Sequence, residues 1–103
     1  MNEIFLKDGT RIRRIDLKRL LFVKAESNYV DFVTTDQSVM ALMSLKKAEE
    51  MLPTDFIRIH RSYLVNKNQI TSIEDGCVVV GKYRLPISQS HRDELMSRLK
   101  IVS

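Results

Sequence analysis

The chain has 103 residues, of which 44% are hydrophobic, and its 17 Lys and Arg against 13 Asp and Glu give a formal net charge of +4. This composition excludes a disordered chain, and no apolar run approaches the roughly 20 residues that span a bilayer. The single cysteine, Cys77, excludes an intrachain disulfide, and the length predicts one domain over residues 1–103.

Short strands separated by turn signals are predicted for the N-terminal part of the chain. Asp8-Gly9 is a two-residue hairpin signal, because glycine accepts a positive φ. Leu20–Val23 is continuously apolar and therefore predicts a strand that is covered on both faces. The predicted strands are Ile4–Lys7, Thr10–Ile15, Leu20–Val23, Tyr29–Thr34 and Gln37–Leu42.

After Leu42, the spacing of hydrophobic residues changes from that of a strand to that of a helix. Ser44 is suited to be its N-cap, and Pro53 stops it. Further strands follow, with a second tight-turn signal at Asp75-Gly76. These predicted strands are Phe56–Val65, Ile70–Ile73, Cys77–Val80 and Tyr83–Ile87.

A second helix is predicted from Ser90 to Ile101, with Ser90 and Asp93 as a pair that resembles a capping box. Its apolar stripe consists of Leu95, Leu99 and Val102. Together the elements predict a mainly β domain, that is, a β-dominated α+β fold with one short inserted helix and one C-terminal helix.

Arg61 breaks the alternating pattern of the predicted Phe56–Val65 strand. Ile59 and Tyr63 would lie on one apolar face of an extended chain, and Arg61 would fall between them. A guanidinium stays charged at any accessible pH, so it cannot be buried there without a partner. We therefore expect the strand to bend or bulge near His60 and to direct Arg61 at solvent or at an anion. The alternative is a strand end that merely exposes a basic pair.

Positive charge is concentrated in two groups of residues. The first is Arg11, Arg13, Arg14, Lys18, Arg19 and Lys24; the second is Arg58, His60, Arg61, Lys67, Lys82, Arg84, His91 and Arg92. Segregated positive charge favours a polyanionic partner, either nucleic acid or a membrane surface.

Three segments combine cations with hydrogen-bonding side chains. The first is the predicted loop Lys24–Tyr29, in which Asn28 can read adenine and Tyr29 can donate to phosphate. A plain connecting loop is the alternative reading of this segment. The second is His60-Arg61, since arginine is the side chain best suited to guanine or to phosphate.

The third such segment is Ser88–Arg92, at the start of the C-terminal helix. Free backbone N–H groups at this position attract anions. His91 and Arg92 would oppose the helix dipole there, at a cost of roughly 0.3–1 kcal/mol per cation. Cations at this helix end indicate a bound phosphate, and a chance surface arrangement is the alternative.

Catalytic and metal-binding chemistry has little support in the sequence. His60 and Ser62 would share a strand face, but no carboxylate motif orients the histidine and no G-x-S-x-G elbow is present. Two histidines and one cysteine lack the spacing of a metal site. We expect no enzymatic activity, no metal and no cofactor.

These segments together resemble the LytTR DNA-binding domain of bacterial transcription regulators. The resemblance covers nearly the whole chain, and Arg58–Asn66 is its most specific stretch. It implies an elongated domain of mostly antiparallel strands, whose loops enter two successive major grooves and contact the minor groove between them. The matching stretches are Phe22–Val30, Leu45–Pro53, Phe56–Asn66 and Leu85–Ser90.

The resemblance also implies where DNA is contacted. Asn28 and Tyr29 match the first contact of the family, and Arg61 matches the second. The third, often a basic residue, is Gln89 in this chain, which leaves Arg92 as the candidate for the missing cation. The predicted DNA-binding residues are Lys24, Asn28, Tyr29, His60, Arg61, Gln89, Ser90 and Arg92.

We therefore predict sequence-specific binding of double-stranded DNA for transcription regulation, as the output domain of a two-component response regulator whose receiver domain is absent from this chain. The expected partners are paired repeats in a promoter and a second copy of the chain on DNA, without membrane contact. The N-terminus lacks a signal peptide, so a cytoplasmic location is expected. The alternative is a small β-rich interaction module that binds an acidic protein or an anionic surface.

Overall fold

Short strands alternate with tight turns in the computed structural model, which describes all residues, 1–103. The strands are β1 Glu3–Asp8, β2 Arg11–Asp16, β3 Leu20–Glu26, β4 Tyr29–Thr34, β5 Ser38–Leu42, β6 Phe56–His60, β7 Tyr63–Asn66, β8 Ile70–Glu74, β9 Cys77–Val80 and β10 Tyr83–Pro86. The helices are α1 Leu45–Met51 and α2 Gln89–Ser97, and a 3-10 turn spans Lys67–Gln69.

The strands form three antiparallel sheets. β1 and β2 make a hairpin, β8 to β10 make a three-stranded sheet, and the other five strands lie in the order β5-β4-β3-β7-β6. β3 is therefore the central strand of the largest sheet. All four residues of Leu20–Val23 in β3 are buried, which confirms the prediction of a strand covered on both faces.

The five-stranded sheet separates two hydrophobic cores. Leu6 of β1 and Ala48 of α1 pack in the core on one face, together with the fully buried Phe32. Val78 of β9 and Leu95 of α2 pack in the core on the other face. Because side chains alternate along a strand, the sheet contributes to both cores at once.

Both helices run from one end of the five-stranded sheet toward the other. α1 begins after β5, with the Ser44 hydroxyl accepting the Lys47 N–H at 3.0 Å, so the predicted N-cap is confirmed. α2 begins where the Ser88 N–H donates to the Ile59 carbonyl at 2.9 Å. It ends where Arg98 donates to the Thr54 carbonyl, just before β6.

The molecule is elongated, with extents of 48 × 25 × 23 Å along its principal axes. The predicted β-dominated fold with one inserted and one C-terminal helix is confirmed. Neither helix is long and apolar enough to cross a membrane.

The predicted Phe56–Val65 strand is wrong as a single element. The chain reverses at Arg61 and Ser62, so that β6 and β7 pair with each other, with a register shift between Arg58 and His60. Arg61 therefore lies in a turn between two strands, and its charged side chain is not part of an apolar strand face.

Other predicted element ends also needed correction. The first hairpin turn consists of Gly9 and Thr10, with a φ of 65° at Gly9, because Asp8 pairs with Arg11. α2 begins at Gln89 with Ser88 as N-cap, so the capping box expected from Ser90 is absent. It ends at Ser97, and Val102, expected on its apolar stripe, is 82% exposed.

Candidate nucleic-acid interface

The first predicted loop is a turn of only two residues between β3 and β4. Glu26 pairs with Tyr29, so Ser27 and Asn28 alone connect the strands, and the loop predicted over Lys24–Tyr29 was too long. Ser27 closes the turn with a positive φ of 54°. Asn28 is exposed at its tip, and the Tyr29 side chain beside it is 44% exposed.

The turn between β6 and β7 exposes Arg61 and engages the backbone around it. The His60 Nδ1 accepts the Ser62 N–H at 3.0 Å, and an Arg58 Nη1–H donates to the Arg61 carbonyl at 3.4 Å. The Ala25 N–H donates to the Ser62 carbonyl at 2.9 Å. None of these bonds uses the guanidinium of Arg61, which remains available to an external anion.

The bond from Ala25 to Ser62 also fixes the two turns relative to each other. β3 pairs with β7 up to Lys24 and Tyr63, and this bond continues the ladder into the turn. Both turns therefore open at the same end of the sheet. Two strand spacings separate their centres, which is about 10 Å.

The start of α2 joins these turns from the other side of β6. Its N-cap, Ser88, is bonded to Ile59, the neighbour of His60. The Ser88 hydroxyl lies 2.6 Å from the Nδ1 of His91, which holds the first helical turn. Gln89 and Ser90 are exposed. We call the end formed by residues 27–28, 61–62 and 88–90 the loop end.

Arg92 lies to one side of this row. It lines a groove with Ile73 of β8 and with Met96, whereas the preceding His91 lines a polar cleft with Glu49. Successive residues of a helix point about 100° apart, which explains the separation. The loop end therefore brings together Asn28, Tyr29, Arg61, Gln89 and Ser90, with Arg92 at its margin.

Lys24 is engaged by carboxylates and is less available than the sequence suggested. Its Nζ lies 3.0 Å from a carboxylate oxygen of Glu26, and its register partner across the strands is Asp31. The hydrogen bond to Glu26 and the electrostatic interaction with Tyr63 both raise the pKa of Lys24 above its ordinary value. A phosphate would have to compete with Glu26 for this ammonium group.

The other cations are more dispersed than the sequence suggested. Arg84 pairs with Glu74 at 3.2 Å and Asp75 at 3.7 Å. Arg19 pairs with Asp36 at 3.2 Å, at the far end of β4. The free cation at the centre of the loop end is therefore Arg61.

Sequence reasoning did not identify the residues that hold the loop end together. The sequence indicates only the charge of Arg58, and no pattern in it indicates that the backbones of Ala25 and Ser62 bond to each other. One local signal was present: a polar side chain followed two residues later by a turn N–H often hydrogen-bonds to it, as Asn and Asp do in turns. His60 and Ser62 have this spacing.

The chain is similar to several known proteins. The family model described as the LytTr DNA-binding domain matches residues 10–100. The sensory transduction protein LytT of Bacillus subtilis is 29% identical over 107 residues, which is 97% of this chain and 44% of that protein. An uncharacterized response regulatory protein of Yersinia pestis is 34% identical over 98 residues, covering 88% of this chain and 40% of that protein.

A solved structure also shares the fold. It is the LytTr DNA-binding domain of a Bacillus cereus response regulator, with a TM-score of 0.79 and 24% sequence identity. The alignment covers 94% of this chain and 95% of that one. This chain spans less than half the length of the two curated relatives, 44% and 40%.

Proposed function

We propose, from the premise that this chain belongs to the LytTr DNA-binding domain family, that its loop end reads a specific double-stranded DNA sequence. The domain would then be the output part of a response regulator that controls transcription, as the names of its relatives suggest. One observation carries the proposal: three separate segments place free hydrogen-bonding side chains in one row at one end of the sheet.

The order of the row suits a duplex. Asn28 and Gln89 lie on the two outer segments, and Arg61 lies between them. In this proposal the outer amides read base edges in two successive major grooves, where bases present distinct donor and acceptor patterns. Arg61 then faces the intervening minor groove, whose negative potential attracts arginine when the groove is narrow.

The remaining candidates have supporting roles. The exposed hydroxyls of Tyr29 and Ser90 are suited to phosphate, as are the free backbone N–H groups at the start of α2. Lys24 and Arg92, at the margins, would add attraction to phosphates without base preference. His60 is predicted as a contact as well, but its bond to Ser62 indicates a different task.

The proposal extends to partners and location. A reader of this size suits paired repeats in a promoter, with two copies of the chain side by side on DNA. We propose no enzymatic activity and no cofactor, because the exposed side chains of the loop end are suited to hydrogen bonding. We also propose a cytoplasmic location, because a DNA-reading domain works where the DNA is.

Selection of binding sites from a random duplex pool, followed by titration, tests the proposal. The selected duplex should bind much more tightly than a duplex with the same bases shuffled, because non-specific binding uses phosphates alone. Equal affinity for the two duplexes would contradict sequence reading. It would instead favour a β-rich interaction module that binds an acidic protein or an anionic surface.

A further inference from the structure

We propose that His60 positions Arg61 through the backbone of the turn and does not itself contact DNA. This inference rests on the proposed function in one respect, namely that Arg61 contacts DNA. The observation behind it is the 3.0 Å bond in which the His60 Nδ1 accepts the Ser62 N–H.

The bond determines the state of the histidine ring. A nitrogen that accepts a hydrogen bond carries no proton, so neutral His60 has its proton on Nε2. The ring also lies edge-on to Tyr63, with centroids 5.6 Å apart and planes at 62°. Tyr63 in turn contacts Phe22 of the second core, at 6.0 Å between centroids. The imidazole is thus held by the core on one side and bonded to the turn on the other.

The remaining contacts show why this bond matters to Arg61. Ser62 has its carbonyl bonded to Ala25, and the Arg61 carbonyl is bonded to Arg58, which is itself 3.4 Å from Glu49. The His60 bond supplies the third restraint, on the Ser62 N–H. Three restraints on two residues fix the direction in which the Arg61 side chain leaves the turn.

Two substitutions separate positioning from direct contact. In Asn, Oδ1 is attached to Cγ, as Nδ1 is in histidine, and Asn commonly accepts the N–H two residues further along. His60→Asn therefore keeps the bond to Ser62. His60→Gln carries its amide one carbon further out, near the position of Nε2, so it loses this bond but would preserve a direct contact made through Nε2.

The measurement is the ratio of affinities for the selected duplex and its base-shuffled counterpart. We expect His60→Asn to stay within about threefold of the wild-type ratio, and His60→Gln to lose roughly tenfold, since the contact of Arg61 with DNA becomes badly placed. Urea unfolding of each variant verifies that the protein is folded. The reverse order, with Gln retaining the ratio and Asn losing it, would overturn the inference in favour of a direct contact.

A double-substitution cycle provides the second readout. If His60 acts only through Arg61, adding His60→Gln to Arg61→Ala should change the affinity ratio no further. Independent, additive losses would overturn the inference, as would unchanged ratios for all His60 variants. The test can be made only if the wild-type protein prefers the selected duplex over the shuffled one. If the wild-type protein shows no such preference, the proposed function itself has failed, and this result is distinct from a failure of the inference about His60.

Discussion

The two ends of the five-stranded sheet use polar side chains in opposite ways. At the end away from the loop end, side chains bond to the chain itself: Asn66 donates to the Leu17 and Leu20 carbonyls at 3.3 and 2.8 Å, and Gln69 donates to Lys18 at 2.7 Å. We call this the capped end. At the loop end, the backbone of the turns is braced, while the side chains of Asn28 and Arg61 remain exposed.

This difference shows which polar residues are available for recognition. Asn66 and Asn28 have the same chemistry, yet Asn66 is 3% exposed and its amide is bonded within the fold. An unsatisfied buried group costs about 1–3 kcal/mol, so Asn66 is required for stability. Asn28 is exposed, so its amide does not need a partner within the fold and is available to bind another molecule.

The largest effect is expected at the capped end, from Asn66→Ala. This change leaves two carbonyl groups and the Asn68 N–H without their side-chain partner. We expect the free energy of unfolding to fall by about 2–4 kcal/mol, as measured in urea. Base preference should be unchanged in the protein that remains folded. Loss of base preference in the folded variant would contradict the division of tasks between the two ends.

Arg61→Ala, at the loop end, should reduce the affinity for DNA and leave the stability of the fold nearly unchanged. We expect specific affinity to fall by about 1–3 kcal/mol, because a base or groove contact is lost. Stability should change by less than about 0.5 kcal/mol, since Arg61 is exposed. Duplex titration and urea unfolding measure the two quantities. Undiminished affinity in a folded variant would remove Arg61 from the interface.

Asn28→Ala and Gln89→Ala sharpen the geometry of the loop end. Each should weaken binding by about 1–2 kcal/mol, less than Arg61→Ala, because a neutral amide is replaced. The base pairs affected should lie about one helical turn apart, roughly 10 bp, if the residues occupy successive major grooves. Footprinting of both variants locates these positions. Changes at the same base pair would exclude the two-groove arrangement.

Arg92→Ala should produce a smaller and sequence-independent effect. Loss of one phosphate contact should weaken all duplexes about equally and flatten the slope of log K against log salt by roughly 0.9. The melting temperature without DNA should not fall, because a cation in the first turn opposes the helix dipole. An unchanged slope with a lower melting temperature would make Arg92 a structural residue that packs beside Ile73.

The smallest effect concerns Asp31, on the sheet face between the two ends. Burial raises the pKa of this carboxyl, with a further rise from the charge of Glu26, although Ser38 and the charge of Lys24 act against it. Because the folded pKa exceeds the unfolded one, ionisation of Asp31 weakens the fold above both values. Asp31→Asn should therefore raise the melting temperature slightly at neutral pH.

The pH dependence supplies the control for this substitution. The gain should shrink as the pH falls from the raised pKa through the ordinary carboxyl range, and it should vanish below that range, where wild-type Asp31 is protonated in both states. Melting curves across this range measure the trend. A gain that is constant with pH would show that the ionisation of Asp31 is not its cause.

Periodicity predicted most of the fold, because burial imposes it directly on the sequence. The run Leu20–Val23 favours a strand covered on both faces, and Pro53 favours the end of a helix. Element ends were less predictable, because they depend on tertiary partners: α2 begins at Gln89 since Ser88 is bonded to Ile59, a contact between residues distant in sequence. No local pattern contains that information.

For the candidate site, the sequence predicted the exposed side chains better than the interactions that hold the turns in place. The charge of Arg61 was incompatible with an apolar face, and this conflict was visible in the sequence. The engagement of Lys24 by Glu26 was not, because many exposed lysines and glutamates two residues apart make no bond. His60 was predicted as a DNA contact beside Arg61, whereas its bond to Ser62 depends on how the turn closes.

The bracing of the turns has a consequence for how such domains diversify. Backbone bonds and the His60 ring hold the 61–62 turn, so the fold places little demand on the side chain at position 61. Substitutions at exposed positions of this kind usually change stability by no more than about 0.5 kcal/mol. Positions 28, 61 and 89 can therefore vary in descendants of this protein without loss of the folded domain. If these positions read DNA as proposed, single substitutions there change the operator while the scaffold is inherited unchanged.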